Sequence, residues 1–277
     1  MKRSFVLTLT LLFVLIAAGC KKTDRTDGMG HLVIKITDAP FPMDIVESAT
    51  VTISKVELRK AGDGISDGPP FIVVSEEPAT FNLLELRNGV SEKLIDLEIP
   101  GGQYDLVRLY VDSATLKVRE GDYYKLKVPS GPQTGIKIFI RPSLNVSGGL
   151  TSELLIDFDL SRSFVLLGNP FTPAGIKGFL FKPVIRAVNN SIAGRLEGIV
   201  ADTANVKLDN ASVWLKQDTI ISTASTDSLG RYAIIGVPAG TYSLHATREK
   251  YDTVSFTDVK VMEGNRTIRN FTLTPQQ

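Results

Sequence analysis

The chain has 277 residues, 43% of them hydrophobic and 22% charged, enough for one large core or two modest ones. A net charge of +1 argues against nucleic acid or any strongly charged partner of the chain as a whole. A single cysteine excludes an internal disulfide, and two histidines, His31 and His245, are thin material for a zinc site or a serine triad.

Met1-Lys2-Arg3 is basic, residues 4–19 are almost wholly apolar, and the run stops at Cys20. A basic start, an apolar stretch and small residues before a cut are the parts of a secretory signal. The run is shorter than the roughly 20 residues that span a bilayer, and a polar segment follows at once. Ala17-Ala18-Gly19-Cys20 resembles the lipobox of bacterial lipoproteins, with Ala17 where that pattern prefers Leu. The resemblance implies that residues 1–19 are removed, and that Cys20 takes a diacylglycerol on sulfur and becomes an acylated N-terminus. Acyl chains contribute about 0.8 kcal/mol per buried methylene, so several together anchor stably to a membrane. Lys21, where inner-membrane lipoproteins carry Asp, implies an outer-membrane address, facing the periplasm or the cell surface. The alternatives are an ordinary signal peptide with a stray cysteine and an uncleaved membrane helix. Residues 20–30 are polar and aperiodic and read as a flexible tether.

Short alternating strands begin at His31. Leu32, Ile34 and Ile36 alternate with Val33, Lys35 and Thr37 until Pro40 and Pro42 end the ladder. In 49–60, Val51 and Ile53 share one parity and Val56 and Leu58 the other, so the phase change predicts a β-bulge near Ser54-Lys55. Residues 62–70 read as a loop and 71–75 as a short strand. Residues 81–87 fit a strand or one helical turn equally. Further strands are expected at 93–99 and 104–112, a hairpin at 115–119 and 123–128, and strands at 135–141, 152–160 and 179–188. About ten short strands punctuated by Gly and Pro predict an antiparallel β-sandwich or open barrel over 31–189.

Within that region Ile36-Thr37-Asp38-Ala39-Pro40, Asn82-Leu83-Leu84-Glu85-Leu86, Ile99-Pro100-Gly101-Gly102-Gln103-Tyr104, Leu155-Ile156-Asp157-Phe158-Asp159 and Phe181-Lys182-Pro183-Val184-Ile185-Arg186 occur in order. This set resembles domain of unknown function 4382, found in envelope lipoproteins. The family has no established activity, so the resemblance assigns no catalytic residue.

A short polar hinge, 189–193, leads to seven further expected strands at 195–201, 211–217, 220–226, 231–237, 241–248, 253–262 and 267–273, which is sandwich spacing. Leu196-Glu197-Gly198-Ile199-Val200, Thr226-Asp227-Ser228-Leu229-Gly230-Arg231-Tyr232 and Val237-Pro238-Ala239-Gly240-Thr241-Tyr242 resemble the carboxypeptidase regulatory-like domain. That resemblance implies a prealbumin-type sandwich of the carbohydrate-binding-like fold group, used as a spacer or recognition surface. Gly230 and Gly240 are expected in tight turns at positive φ. The whole chain is therefore expected to be all-β. Two antiparallel β-sandwich domains, 31–189 and 190–277, follow the signal peptide and tether.

Asp157 and Asp159 alternate with Ile156 and Phe158, which turns both carboxylates away from the core on one face. With Asp38 at a strand end they are candidate oxygen ligands for calcium, against the plainer reading of a solvated or charge-paired face. Two acids side by side on one strand do not suit a glycoside hydrolase, whose acids face each other across a cleft. Ser161-Arg162-Ser163 has no histidine base in its own domain except His31 at the start of the first strand. Tyr104, Tyr110, Tyr123 and Tyr124 suit either cross-strand packing or contact with sugar rings. Trp214 shares parity with Ser212, opposite Val213 and Leu215, so it is expected to be partly exposed and is the candidate glycan contact.

These readings converge on a non-enzymatic, lipid-anchored protein of the outer membrane, a binding or scaffolding module. Its partners would be the membrane through the N-terminal lipid and a glycan or another envelope protein. The alternatives are an adhesin or fimbria-like subunit that pairs sheet edges and, less supported, a glycan-active hydrolase.

Overall fold

The computed structural model describes residues 28–39, 45–62, 71–129, 131–169, 172 and 175–276. Cys20, the apolar leader and most of the expected tether lie outside the described residues. Among the described residues the protein is all-β, interrupted by single helical turns, and no helix is long and apolar enough to cross a membrane.

The first unit holds β1 (Met29–Ala39), β2 (Val46–Lys60), β3 (Phe71–Ser75), β4 (Ala79–Asn82), β5 (Glu92–Pro100) and β6 (Gly102–Val118). It continues with β7 (Tyr123–Leu126), β8 (Ile136–Val146), β9 (Thr151–Asp159), β10 (Phe164–Gly168), β11 (Ile176–Phe181) and β12 (Ile185–Asn189). A 10-stranded sheet runs β3-β2-β6-β8-β12-β9-β1-β5, with β4 also on β2 and β7 also on β6. Its two halves join through the Ile140–Ala187 pair between β8 and β12, and its ends, β3 and β5, approach each other. The sheet therefore folds around one apolar core, with Ile34 and Ile36 from β1, Leu58 from β2, Leu109 from β6 and Phe158 from β9 fully enclosed. Each such side chain contributes roughly 1.5–3 kcal/mol of burial.

β1 runs parallel to β9, and β8 parallel to β12, so the sheet is mixed rather than wholly antiparallel. Alternation within one strand carries no record of its neighbour's direction. The bulge is where the phase change places it. β2 pairs with β6 along its length, and the register slips at Thr52/Ile53 and Ile53/Lys55. The slip lets Val51, Ile53, Val56 and Leu58 all face the core. Residues 81–87 are divided: Phe81 and Asn82 finish β4, and Leu83–Leu86 makes a 3-10 turn that buries Leu83 and Leu86. The strand and half-hairpin expected at 104–119 are one 17-residue strand, β6. The strand expected at 179–188 breaks around Pro183, which has no N–H to give to a ladder. Its first part, β11, pairs with β10 as a separate ribbon, while β12 stays in the main sheet.

The second unit holds β13 (Gly194–Asp202), β14 (Ser212–Lys216), β15 (Ile220–Ser225), β16 (Arg231–Val237), β17 (Gly240–Thr247), β18 (Val254–Val261), β19 (Arg266–Ile268) and β20 (Phe271–Leu273). One sheet is β16-β13-β19 with β20 also on β13, and the other is β15-β14-β17-β18. Leu196, Val200, Val213, Leu215, Leu244 and Phe271 share a second, separate core. The last expected strand is split at Arg269-Asn270. There the Tyr232 hydroxyl donates to the Arg269 carbonyl at 2.6 Å, and Asn270 Oδ1 accepts from the Ile199 N–H at 3.0 Å. Gly198 makes room for this crossing, because any side chain on it would strike the Arg269 carbonyl. Gly230 has φ +70°, as its turn requires. Gly240 does not have positive φ; its small size instead leaves space beside the Tyr242 ring.

Both units use one device. In Pro100-Gly101-Gly102-Gln103-Tyr104 the tyrosine hydroxyl donates to the Pro100 carbonyl at 2.8 Å. In Pro238-Ala239-Gly240-Thr241-Tyr242 the matching bond to the Pro238 carbonyl is 2.7 Å. Each ring is buried, so each turn is pinned to its own core through an aromatic side chain.

Candidate functional site

Leu155, Asp157 and Asp159 project from one face of β9, away from the main core. That face is not solvated. All three residues are buried, and the second unit lies over this part of the sheet: β15 meets β1, β16 meets β12, Ser222 reaches Asp157 and Gly236 meets Leu155. Of the two plainer readings, a solvated face or a charge-paired one, the acids are charge-paired and not solvated, and the face left by the first core becomes the floor of an inter-unit contact.

Strand register brings Arg186 of β12 opposite Asp157. Arg186 Nε donates to Asp157 Oδ2 at 2.6 Å. The rest of the guanidinium crosses to the second unit, Nη1 to the Gly236 carbonyl at 2.6 Å and Nη2 to the Ile235 carbonyl at 3.0 Å. Ser222 Oγ lies 3.4 Å from the same Asp157 oxygen. Gly236 takes φ +64°, and a Cβ on it would press into Leu155, so the two backbones meet closely at this point.

Asp159 caps the helical turn that follows β9. Its Oδ1 accepts from the Arg162 backbone N–H at 3.0 Å and from Ser161 Oγ at 2.5 Å, and its Oδ2 accepts from Arg162 Nε at 2.6 Å. Arg162 Nη1 then reaches the Ile220 carbonyl of the second unit at 3.3 Å. Each acid thus holds an arginine whose remaining donors bind the backbone of the other unit. A planar guanidinium suits this role, because its donors point in fixed, diverging directions.

Asp38 belongs elsewhere. It shares the alternation of Leu32, Ile34 and Ile36 and lies opposite Phe158, so it faces the inner side of the sheet. Its Oδ1 accepts from the Leu160 N–H at 3.2 Å, and its Oδ2 has no partner. Burial pushes the Asp38 carboxyl well above the usual carboxylate range, and the nearby Asp157 charge adds to the shift. Burial also raises Asp157, against the charge and hydrogen bond of Arg186. The oxygen cage expected for calcium from Asp38, Asp157 and Asp159 is not assembled. Asp38 is on the opposite face from the other two, and each of those two is paired with an arginine. Among the described residues no group of three or more His, Cys, Asp or Glu is set to hold a metal ion.

Trp214 on β14 is half-buried, as its alternation with Val213 and Leu215 predicts. Register sets it opposite His245 of β17, and the two rings stack at 5.2 Å between centres and 9° between planes. His245 Nδ1 lies 2.6 Å from Ser255 Oγ, and Nε2 lies 3.0 Å from Ser243 Oγ. Burial, with the Lys216 charge, lowers the His245 pKa, which keeps the imidazole neutral at pH 7. The result is a flat aromatic step with hydroxyls beside it on the β15-β14-β17-β18 sheet. The four tyrosines do not make one platform. Tyr104 is in the core, Tyr124 packs edge-on to Phe179 at 5.2 Å, Tyr123 is exposed, and Tyr110 lies on the outer face of β6. His31 pairs with Asp96 at 2.6 Å.

Arg186 and Arg162 are the residues that sequence reasoning missed. The signal for Arg186 was a basic residue within a short apolar strand just before the second unit, in a segment already marked by family resemblance.

Residues 29–183 match the family described as Domain of unknown function (DUF4382), and residues 195–274 match the carboxypeptidase regulatory-like domain. No curated protein matches the chain significantly. Among solved structures, a type II cohesin–X-dockerin complex from Acetivibrio cellulolyticus is 21% identical over 29% of this chain and 56% of that one, with a TM-score of 0.24. The shaft pilin SpaA from Lactobacillus rhamnosus GG is 8% identical over 90% of this chain and 100% of that one, with a TM-score of 0.27. The minor pilin GBS52 from Streptococcus agalactiae is 11% identical over 88% and 96%, with a TM-score of 0.24. The chain spans little more than half of the first of these structures, and none of the scores reaches the level of a shared overall fold. The first match covers over half of the sequence, and the chain belongs to the family described as Domain of unknown function (DUF4382).

Proposed function

We propose that the protein is a lipid-anchored component of the cell envelope, held through Cys20, whose two β units act as a non-enzymatic binding or scaffolding module. The observation that carries this reading is the Arg186 fork. Asp157 and Asp159 are the acids best placed by sequence for chemistry, and both are engaged in joining the units. Groups used in this way hold position and do not exchange protons with a substrate. The apolar leader ending at Cys20 supports the anchor, and Lys21 after it supports an outer-membrane address. The test is fractionation of cells expressing Cys20→Ala. The variant is expected in the soluble fraction and still folded. Retention with membranes like the unaltered chain would overturn the anchor.

A second reading, glycan recognition by the second unit, is favoured by the stacked Trp214–His245 step with its flanking Ser243 and Ser255 hydroxyls. Sugar C–H faces pack on such rings, and hydroxyls complete the contact. On a glycan array the unaltered chain is expected to bind, and Trp214→Ala to lose that binding. A chain that binds no glycan sinks this second reading and leaves the anchor untouched.

A further inference from the structure

The outer face of β3-β2-β6-β8 interleaves cations and aromatic rings, and register sets them in rows. Arg59 of β2 lies opposite Phe71 of β3 and Leu106 of β6, and Leu106 lies opposite Phe139 of β8. One step along, Glu57 lies opposite Arg108, and Arg108 opposite Lys137. Leu106 is buried although it stands outside the main core cluster, so it forms an apolar floor between Arg59 and Phe139.

Phe139 is 54% exposed on this face, and the guanidinium carbons of Arg59 and Arg141 each lie 5.7 Å from its ring centre. Arg108 stacks over Phe71 at 3.7 Å. The charges are not used alike. Arg59 is held by Asp105 through two bonds of 2.8 Å, and Arg108 pairs with Glu57 at 3.0 Å. Lys137 and Arg141, two residues to either side of Phe139, are exposed and have no acidic partner among the described residues. An exposed phenyl ring bracketed by cations without acidic partners, on strands of fixed register, is a preorganised surface for a ring that carries negative charge.

We propose that this face binds an acidic polysaccharide, with a uronate-type ring packed on Phe139 and its acid groups on Arg141 and Lys137. The chain as a whole is near neutral, so the attraction is local to this face. A lipid-anchored envelope protein meets surface glycans rather than nucleic acid, and a polyuronate offers both a ring face for Phe139 and carboxylates for the two unpaired cations. The proposal rests on the reading of the chain as a binding module, but not on Trp214, which belongs to the other unit.

The test is calorimetry of the full chain in detergent micelles with polygalacturonate, neutral dextran and polyglutamate as probes. Polygalacturonate is expected to bind, more weakly as salt rises, and dextran and polyglutamate are expected not to. Phe139→Ala and the pair Lys137→Gln with Arg141→Gln are each expected to weaken polygalacturonate binding about tenfold or more. Their melting temperatures are expected to be unchanged, because all three side chains are exposed. Trp214→Ala is expected to leave this binding intact. No binding of polygalacturonate, equal binding of dextran or polyglutamate, or full binding by the Phe139 variant would each overturn the proposal. Loss in Trp214→Ala alone would move the site to the second unit and overturn it as well. Each of these failures is distinct from failure of the Cys20→Ala release.

Discussion

Asp38 shows how one buried atom sets a pH dependence. Its carboxyl is enclosed on the inner side of the sheet, is raised by burial first and by the nearby Asp157 charge second, and has one oxygen without a partner. The folded protein therefore binds the Asp38 proton more tightly than the unfolded chain does. This contributes stability that is fully present below the unfolded carboxylate pKa of about 3.9 and is lost as pH rises through the raised folded value. Asp38→Asn keeps an uncharged group at every pH. It is expected to melt at a higher temperature than the unaltered chain at pH 8, with little difference at pH 4. A variant less stable at pH 8 than at pH 4, relative to the unaltered chain, would mean that the ionised carboxylate is wanted. The inward direction of Asp38 was legible from its parity with Ile34 and Ile36. The direction of Asp157 and Asp159 was legible too, but not their burial, because the residues that cover them are more than sixty positions away.

At the scale of elements, alternation located most strands, and the phase change in β2 located its bulge. It did not locate breaks caused by other strands. β19 and β20 separate because Tyr232 and Asn270 bind across to neighbours, and β10 leaves the main sheet to pair with β11. The paired tyrosine turns were visible as two Pro-x-Gly-x-Tyr strings, yet only the structure shows each hydroxyl returning to its proline carbonyl. Tyr104→Phe and Tyr242→Phe each remove one such bond and are expected to cost about 1 kcal/mol. The two costs should add in urea melts, since the sites are in separate cores and share no partner. A double variant as stable as the unaltered chain would show that the hydroxyls do not hold these turns.

Across the whole molecule, the two cores are joined by polar groups. The segment expected as a hinge is tied down as well: the Ser191 hydroxyl accepts from the Glu153 N–H at 2.8 Å, and the Asn190 N–H donates to the Glu153 carbonyl at 2.8 Å. Arg186→Ala would leave Asp157 enclosed without its cation, a loss of roughly 3–5 kcal/mol for a buried pair with one partner removed. Calorimetry is expected to resolve two melting transitions in this variant where the unaltered chain gives one. Arg186→Lys, which keeps the charge but cannot span Asp157 and both carbonyls, should fall between them. A variant that melts as one unit at the original temperature would remove Arg186 from its role as latch.

The sequence by itself determined the all-β class, the composition of both cores, the β2 bulge and the family resemblance of each half. These depend on local alternation, turn residues and short motifs, all written within a few residues of where they act. The tertiary structure decided strand order and direction, the separation of Asp38 from Asp157 and Asp159, and the use of those acids as an inter-unit latch. Those outcomes depend on which face meets which, a matter of contacts between distant segments that no local pattern encodes.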